Sequence, residues 1–192
     1  MNISVDGTSV AVNLIGFKHD ELANSFIYGA NREMWSAGMT FQTVDCWRDT
    51  HKMNESGTNV GGWETSAMRT YMTTLLGLAS TDFKNVIKGV NKRTSIGNKS
   101  ATIATTEDKL FLLSEIEIFG TAGPSFAGEG EQYAYYKAGN SKIKKLDGNA
   151  QHWWERSPER STNSFFCLVF DTGISDYSVS TNAFGVAFAF CI

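Results

Sequence analysis

The closing segment Gly185-Val186-Ala187-Phe188-Ala189-Phe190-Cys191-Ile192 constrains the fold of this chain most. Val186, Phe188, Phe190 and Ile192 alternate with Ala187, Ala189 and Cys191, so an extended strand here is apolar on both faces. Only a strand inside a sheet, covered above and below, hides both rows. The core is therefore completed by the last residues, and the polar run Ile174 to Asn182 before them belongs at the surface. Further upstream, Phe166, Leu168 and Phe170 alternate with Phe165, Cys167 and Val169 ahead of an Asp171-Thr172-Gly173 turn. Period alone leaves open which of these faces is buried; if Phe166 is scaffold, parity puts Leu168 and Phe170 on its side.

The rest of the chain mixes both periodicities. Ile3 and Val5, then Val10, Val12 and Leu14, flank Asp6-Gly7, as in a hairpin with a tight turn. Trp63, Ala67, Met68, Tyr71, Met72, Leu75 and Leu76 share one helical face, with Gly77 as a stop, which predicts a helix over 63–77. Phe83, Val86, Ile87 and Val90 predict a second over 81–90. Residues 91–106 are Ser/Thr/Asn/Lys-rich and read as a surface loop or exposed ribbon. Lys109 to Leu113 reads as a buried strand, and Ser114 with Glu117 has capping-box spacing ahead of a short helix that ends at Gly120. These patterns predict one α+β domain over 1–192, loop-rich, with two helices packed on a small mixed or antiparallel sheet and a central C-terminal strand.

Composition narrows the function. The net charge is -3 with a pI near 5.6, and the Lys142, Lys144, Lys145 cluster forms no basic stripe, so nucleic acid is not an expected partner. Neither a membrane-spanning apolar run nor the order of a signal peptide is present, so no membrane insertion is expected. Cys46, Cys167 and Cys191 form no CxxC or Cys/His spacing. No ligand cluster, phosphate loop or nucleophile motif appears, so neither metal nor organic cofactor is expected and the chain reads as a non-enzyme.

Trp153-Trp154-Glu155-Arg156-Ser157-Pro158, Phe166-Cys167, Gly173 and the closing Gly185 to Cys191 resemble the variable proteins of diversity-generating retroelements, in the branch of gut Firmicutes and their phages and prophages. Ile15 to Asp20, Asn59 to Trp63, Asp108 to Ser114 and Phe126 to Asn140 also match. Ala187 and Phe188 depart from the Arg and Pro that often close such domains. The resemblance implies a C-type-lectin-like fold related to formylglycine-generating enzymes. It implies a variable ligand-binding region over 151–184, in which adenine rewriting turns asparagine-type codons into others sharing their last base. Lys, Glu, Gln, Trp and Met are then out of reach, and none occurs from Arg160 to Phe184. The ligand face so implied comprises His152, Arg160, Thr162, Asn163, Phe165, Leu168, Phe170, Asp171, Ile174, Ser175, Asp176, Tyr177, Val179, Thr181 and Asn182. Such rings and short polar groups suit a paratope. The implied partner is a host-cell surface receptor, protein or glycan. The implied setting is the tip of a phage or prophage tail fibre, as a homo-oligomer within the fibre, or a bacterial surface or secreted binder.

Blander and rival readings stand beside this one. Adjacent residues on a strand point to opposite faces, so at least one of Trp153 and Trp154 is core rather than a sugar platform. Glu155 and Arg156 read as a structural ion pair or hydrogen-bonding hub, and His19-Asp20 as a structural histidine with its carboxylate. An enzyme related to formylglycine generation would need Cys167 and Cys191 as a reactive pair, although both sit in apolar alternations. A calcium lectin would need Glu-Pro-Asn, Gln-Pro-Asp or Trp-Asn-Asp tracts, and none is present.

Overall fold

The computed structural model describes residues 1–23 and 35–192. Asp6 and Gly7 both take positive φ, 47° and 68°, the geometry of a turn that matches the twist of a hairpin. They join β1 (Asn2–Val5) to β2 (Thr8–Phe17), and β3 (Met39–Thr43) returns antiparallel along β2. After β4 (His51–Lys52) come α1 (Ala67–Leu78) and α2 (Thr81–Val86). The hairpin of β5 (Val90–Ser95) and β6 (Ile103–Asp108) follows, then β7 (Leu110–Phe111), α3 (Glu115–Phe119) and α4 (Ala134–Lys137). The chain closes with β8 (Lys144–Leu146), β9 (Asn149–Gln151), β10 (Trp153–Pro158), β11 (Phe165–Val169), β12 (Ser175–Val179), β13 (Ala183–Phe184) and β14 (Ala189–Cys191).

The architecture is mostly β, which corrects the α+β expectation. Among the described residues the strands divide into five sheets: β1-β2-β3-β14-β7, β10-β11-β12, and the pairs β5-β6, β8-β9 and β13-β4. The layout of two helices packed on one small sheet, and the C-type-lectin-like fold tied to it, is not what the chain forms. The helices are shorter than their periodicity suggests, for local reasons. Ser66 caps α1 by accepting from the Arg69 N–H, so Trp63 stays in the preceding loop, where its indole donates to Asp108 at 3.0 Å. Val90 is the first residue of β5, and so α2 stops at Val86. The polar stretch 91–106 is the exposed-ribbon alternative, nearly all of it in the β5–β6 hairpin.

β14 lies between β3 and β7, paired on both sides, as a strand apolar on both faces requires. Phe190 meets Phe41 (ring centroids 5.5 Å apart) and the edge of Phe83 (4.6 Å). The segment after Lys109 is buried through Leu113, but only Leu110 and Phe111 pair as a strand, because β14 is three residues long. Ser114 and Glu117 form the capping box, and Gly120 ends α3 with φ 80°.

Candidate functional site

β10, β11 and β12 form an antiparallel sheet that carries most of the implied ligand residues on its far strand and at its two ends. Trp153 faces Val169 and Trp154 faces Leu168; Phe165 faces Val179, Cys167 faces Tyr177 and Leu168 faces Asp176. Cross-strand partners share a face. Phe165, Tyr177 and Val179 therefore lie on one side, with the Phe165 and Tyr177 rings 5.8 Å apart, and Phe166 and Leu168 on the other. Both tryptophans are fully buried: the Trp153 indole donates to Lys142 O and the Trp154 indole to His51 O, each at 2.9 Å.

The connection from β10 to β11 is held by its main chain. Asn59, fully buried, donates its amide to the carbonyls of Glu159 (3.3 Å), Thr162 (3.2 Å) and Phe165 (2.9 Å), and its backbone N–H donates to Asn163 O. Its Oδ1 accepts from the Asn98 N–H at 2.8 Å, in a turn where Gly97 has φ 70° and a Cβ would lie 1.8 Å from Asn59 O. The Arg160 N–H donates to Pro124 O, and the Glu159 carboxylate accepts from Ser161 and Thr162. Such contacts fix the loop without using outward side chains.

The candidate residues separate by burial. Arg160, Asn163, Ile174, Tyr177 and Asn182 are exposed, Ile174 by 60% and Tyr177 by 47%. Phe165, Asp171, Asp176, Val179 and Thr181 are half-buried on the same sheet and its turns. Leu168 must be removed from the ligand face: it is 2% exposed, shares the side of Phe166 and packs in the core. Phe170 packs against that core and stacks on His152 (4.0 Å), whose Nδ1 accepts from the Asp171 N–H. These two brace the 170–174 turn. Thr162 Oγ1 accepts from the Phe165 N–H, and Ser175 Oγ donates to Glu115 at 2.6 Å, so both hydroxyls work inward.

Beneath the sheet lies a buried ionic hub. Arg156 closes on Glu117 with two bonds (2.5 and 2.9 Å) and donates to the carbonyls of Leu112, Arg93 and Glu129. Lys92 bridges Glu117 and Asp20, each at 2.6 Å. Burial alone would raise the Asp20 carboxyl, but Lys92 beside it holds it well below the usual range; Arg156 and Lys92 likewise outweigh burial at Glu117. The partner of Arg156 is thus Glu117, and not the adjacent Glu155. Both Glu155 oxygens are buried without a hydrogen bond, and burial drives that carboxyl far upward. His19 stacks on Tyr133 (3.9 Å) and its Nε2 meets Glu131 O at 3.0 Å. A cleft of about 680 Å³ adjoins this hub, lined by His19, Asp20, Lys92, Arg93, Glu117 and Glu131 among others. None of the candidate ligand residues lines it.

Burial pushes the Cys46 thiol up to about 12 and raises Cys167 and Cys191 as well. Among the described residues no three His, Cys, Asp or Glu side chains are grouped to hold a metal ion, and no helix is long and apolar enough to cross a membrane.

A domain of unknown function, DUF6273, matches residues 36–192. The chain belongs to the DUF6273 family. No curated protein and no solved structure matches it. The DUF6273 match takes in β3 through β14 and leaves the β1–β2 hairpin outside. Within it, sequence reasoning passed over the roles of Asn59, Glu115, Glu129 and Glu159. Their signals are faint but present: an asparagine ahead of Gly61-Gly62, a glutamate between Gly128 and Gly130, and acids inside the apolar Glu115-Ile116-Glu117-Ile118-Phe119 run.

Proposed function

We propose that this DUF6273 domain is a non-catalytic binding module whose C-terminal segment, residues 151–184, presents exchangeable ligand-contacting side chains on a fixed frame. One observation carries the reading: Asn59 and Pro124 grip the 159–165 loop by main-chain atoms, whereas Arg160 and Asn163 turn their side chains to solvent. A loop held by its backbone keeps its shape when its side chains change. That is the property a protein diversified by adenine rewriting needs, and the absence of Lys, Glu, Gln, Trp and Met from Arg160 to Phe184 agrees with such a history. The ligand face then consists of Arg160, Asn163, Phe165, Ile174, Tyr177, Val179 and Asn182, with Asp171 and Thr181 at its margins, whereas Asp176, the partner of Leu168, lies on the other side of β12.

The partner in this reading is a host-cell surface receptor, protein or glycan, met by the domain at a phage or prophage tail-fibre tip as part of a homo-oligomer. A bacterial surface or secreted binder would use the same face. The rival enzyme related to formylglycine generation needs accessible, low-pKa thiols, and the buried, upshifted Cys167 and Cys191 speak against it. The test compares wild type with a variant carrying Arg160→Ala, Asn163→Ala, Ile174→Ser, Tyr177→Ala and Asn182→Ala on glycan arrays and intact gut Firmicute cells. Binding by wild type that is lost in a folded variant supports the proposal; equal binding by both sinks it.

A further inference from the structure

Lys144, on β8, is a buried cation that the fold leaves without an acid. Its ammonium donates to Thr43 O (2.5 Å) and Val44 O (3.1 Å) and stands 5.3 Å from the centre of the Trp153 ring. Those carbonyls take two of its three N–H groups, and among the described residues no further acceptor is bonded to it. No described Asp or Glu lies within ion-pair distance of it either, whereas the other buried cations, Lys92 and Arg156, are each closed on Glu117.

Two titratable neighbours do not change this. Asp45 is exposed, with its Oδ1 accepting from the Lys145 N–H, and the Cys46 thiol is neutral because burial pushes it up to about 12. Burial lowers the Lys144 ammonium to about 8, so at neutral pH it still carries its charge. A buried charge of that kind is costly until a group of opposite sign reaches it.

A pocket of about 160 Å³ adjoins it, between β2, β3, α4 and residues 141–144, lined by Lys144 with Gln42, Tyr135, Tyr136, Ser141 and Ile143 among others. The Tyr136 hydroxyl is taken up by Gln42. The Tyr135 hydroxyl accepts from the Asn13 amide at 3.2 Å and Ser141 Oγ from the Ile143 N–H at 3.1 Å, which leaves the hydrogen of each hydroxyl to donate. Between these donors the walls are apolar: Ile15, Ile143 and the Tyr135 and Tyr136 rings, which meet edge to face at 5.2 Å. Hydroxyl donors beside an unpaired ammonium suit an oxyanion. The volume falls below the roughly 300–1,000 Å³ of drug-sized sites, so the occupant has only a few heavy atoms. Asp45 at the rim repels a dianion, and the apolar walls favour a hydrocarbon tail over a phosphate.

We propose that this pocket binds a small organic monocarboxylate, whose carboxylate pairs with the Lys144 ammonium and accepts from Tyr135 while its short tail lies against Ile15 and Ile143. Every residue lining the pocket precedes the 151–184 segment, so the site and its test are separate from the ligand face.

Butyrate is the probe, butyramide its uncharged counterpart and inorganic phosphate the alternative anion, each titrated into the isotope-labelled chain at mildly acid pH and constant ionic strength. Butyrate should shift the amides of residues 43–45 and 141–144 saturably with a Kd of about 1 mM, and butyramide should bind at least about tenfold more weakly. Lys144→Met keeps an apolar stem against Trp153 and removes the charge, so it should fold and lose at least about tenfold in butyrate affinity. Butyrate binding that butyramide matches, that Lys144→Met retains, or that maps to other amides overturns the proposal, as does no saturation below about 50 mM. Phosphate that saturates the same amides more tightly than butyrate overturns it too. If Lys144→Met fails to fold, Tyr135→Phe decides. It removes one hydroxyl donor from a half-buried ring and should weaken butyrate about fivefold, and an unchanged Kd refutes the site.

Discussion

Asn59→Ala removes the one side chain that touches the candidate loop at three carbonyls, and its cost can be worked from the contacts. The amide has two N–H groups shared among Glu159 O, Thr162 O and Phe165 O, and its oxygen accepts from Asn98 N–H, which amounts to three hydrogen bonds at full occupancy. A hydrogen bond contributes about 1 kcal/mol net, and a buried group left unpaired costs about 1–3 kcal/mol. Asn59 is fully buried, so the expected loss is about 3–5 kcal/mol. For a domain of this size that lowers the melting temperature by roughly 6–20 °C. Val60→Ala is the control: the neighbouring side chain is 52% exposed, and its loss should stay within about 0.5 kcal/mol. Thermal melts of both variants, with hydrogen exchange over residues 159–165, test the argument. An Asn59→Ala melt within about 2 °C of wild type, with unchanged exchange in the loop, would refute the claim that Asn59 holds it.

Other consequences follow from the same contacts. Phe190→Ala empties a fully buried site between Phe41 and Phe83 and should cost about 3–5 kcal/mol in denaturant unfolding. Glu155→Met replaces a buried carboxyl that has no partner with an apolar chain of similar volume; unfolding should show no loss or a gain of about 1 kcal/mol, and a loss above about 2 kcal/mol would mean that Glu155 has a partner after all. Stability should peak in mildly acid solution. Asp20 and Glu117 are held below their ordinary values, so their contribution is present above about pH 4.5 and is lost as pH falls through their lowered folded values. Glu129 is raised, so its contribution is complete below about 4.5 and is lost as pH rises through about 7, an effect of order 3 kcal/mol read from melts at pH 5 and 8.

What the sequence made legible follows the strength of each local rule. The Asp6-Gly7 hairpin, the Ser114–Glu117 capping box and the interior position of the last strand rest on patterns with one cheap solution, and the chain adopts it. The fold class was harder to read because two-residue strands such as His51–Lys52 and Ala183–Phe184 carry no period, and the polar ribbon 91–106 hides its pairing. Those elements turn an expected two-helix α+β layout into a mostly β one. At the candidate site, parity already warned that Leu168 follows Phe166 inward, and the register agrees. The hub partner was out of reach: Arg156 is next to Glu155 in sequence, but strand alternation sends them to opposite sides and Glu117 lies 39 residues away along the chain. Asn59, Glu115 and Glu129 act through main-chain atoms of distant segments, which no single-sequence pattern encodes.

The central claim is that side chains turned outward from residues 151–184 vary while the frame beneath them does not, and the DNA around the gene tests it most directly. The account predicts a near-copy of the codons for residues 150–192 beside a reverse-transcriptase gene, differing at template adenines. Those differences should fall on codons such as Arg160, Asn163, Tyr177 and Asn182, and spare Trp153, Trp154, Arg156, Phe166 and Phe190. A locus with no such copy, or differences spread evenly over the buried codons, would contradict it.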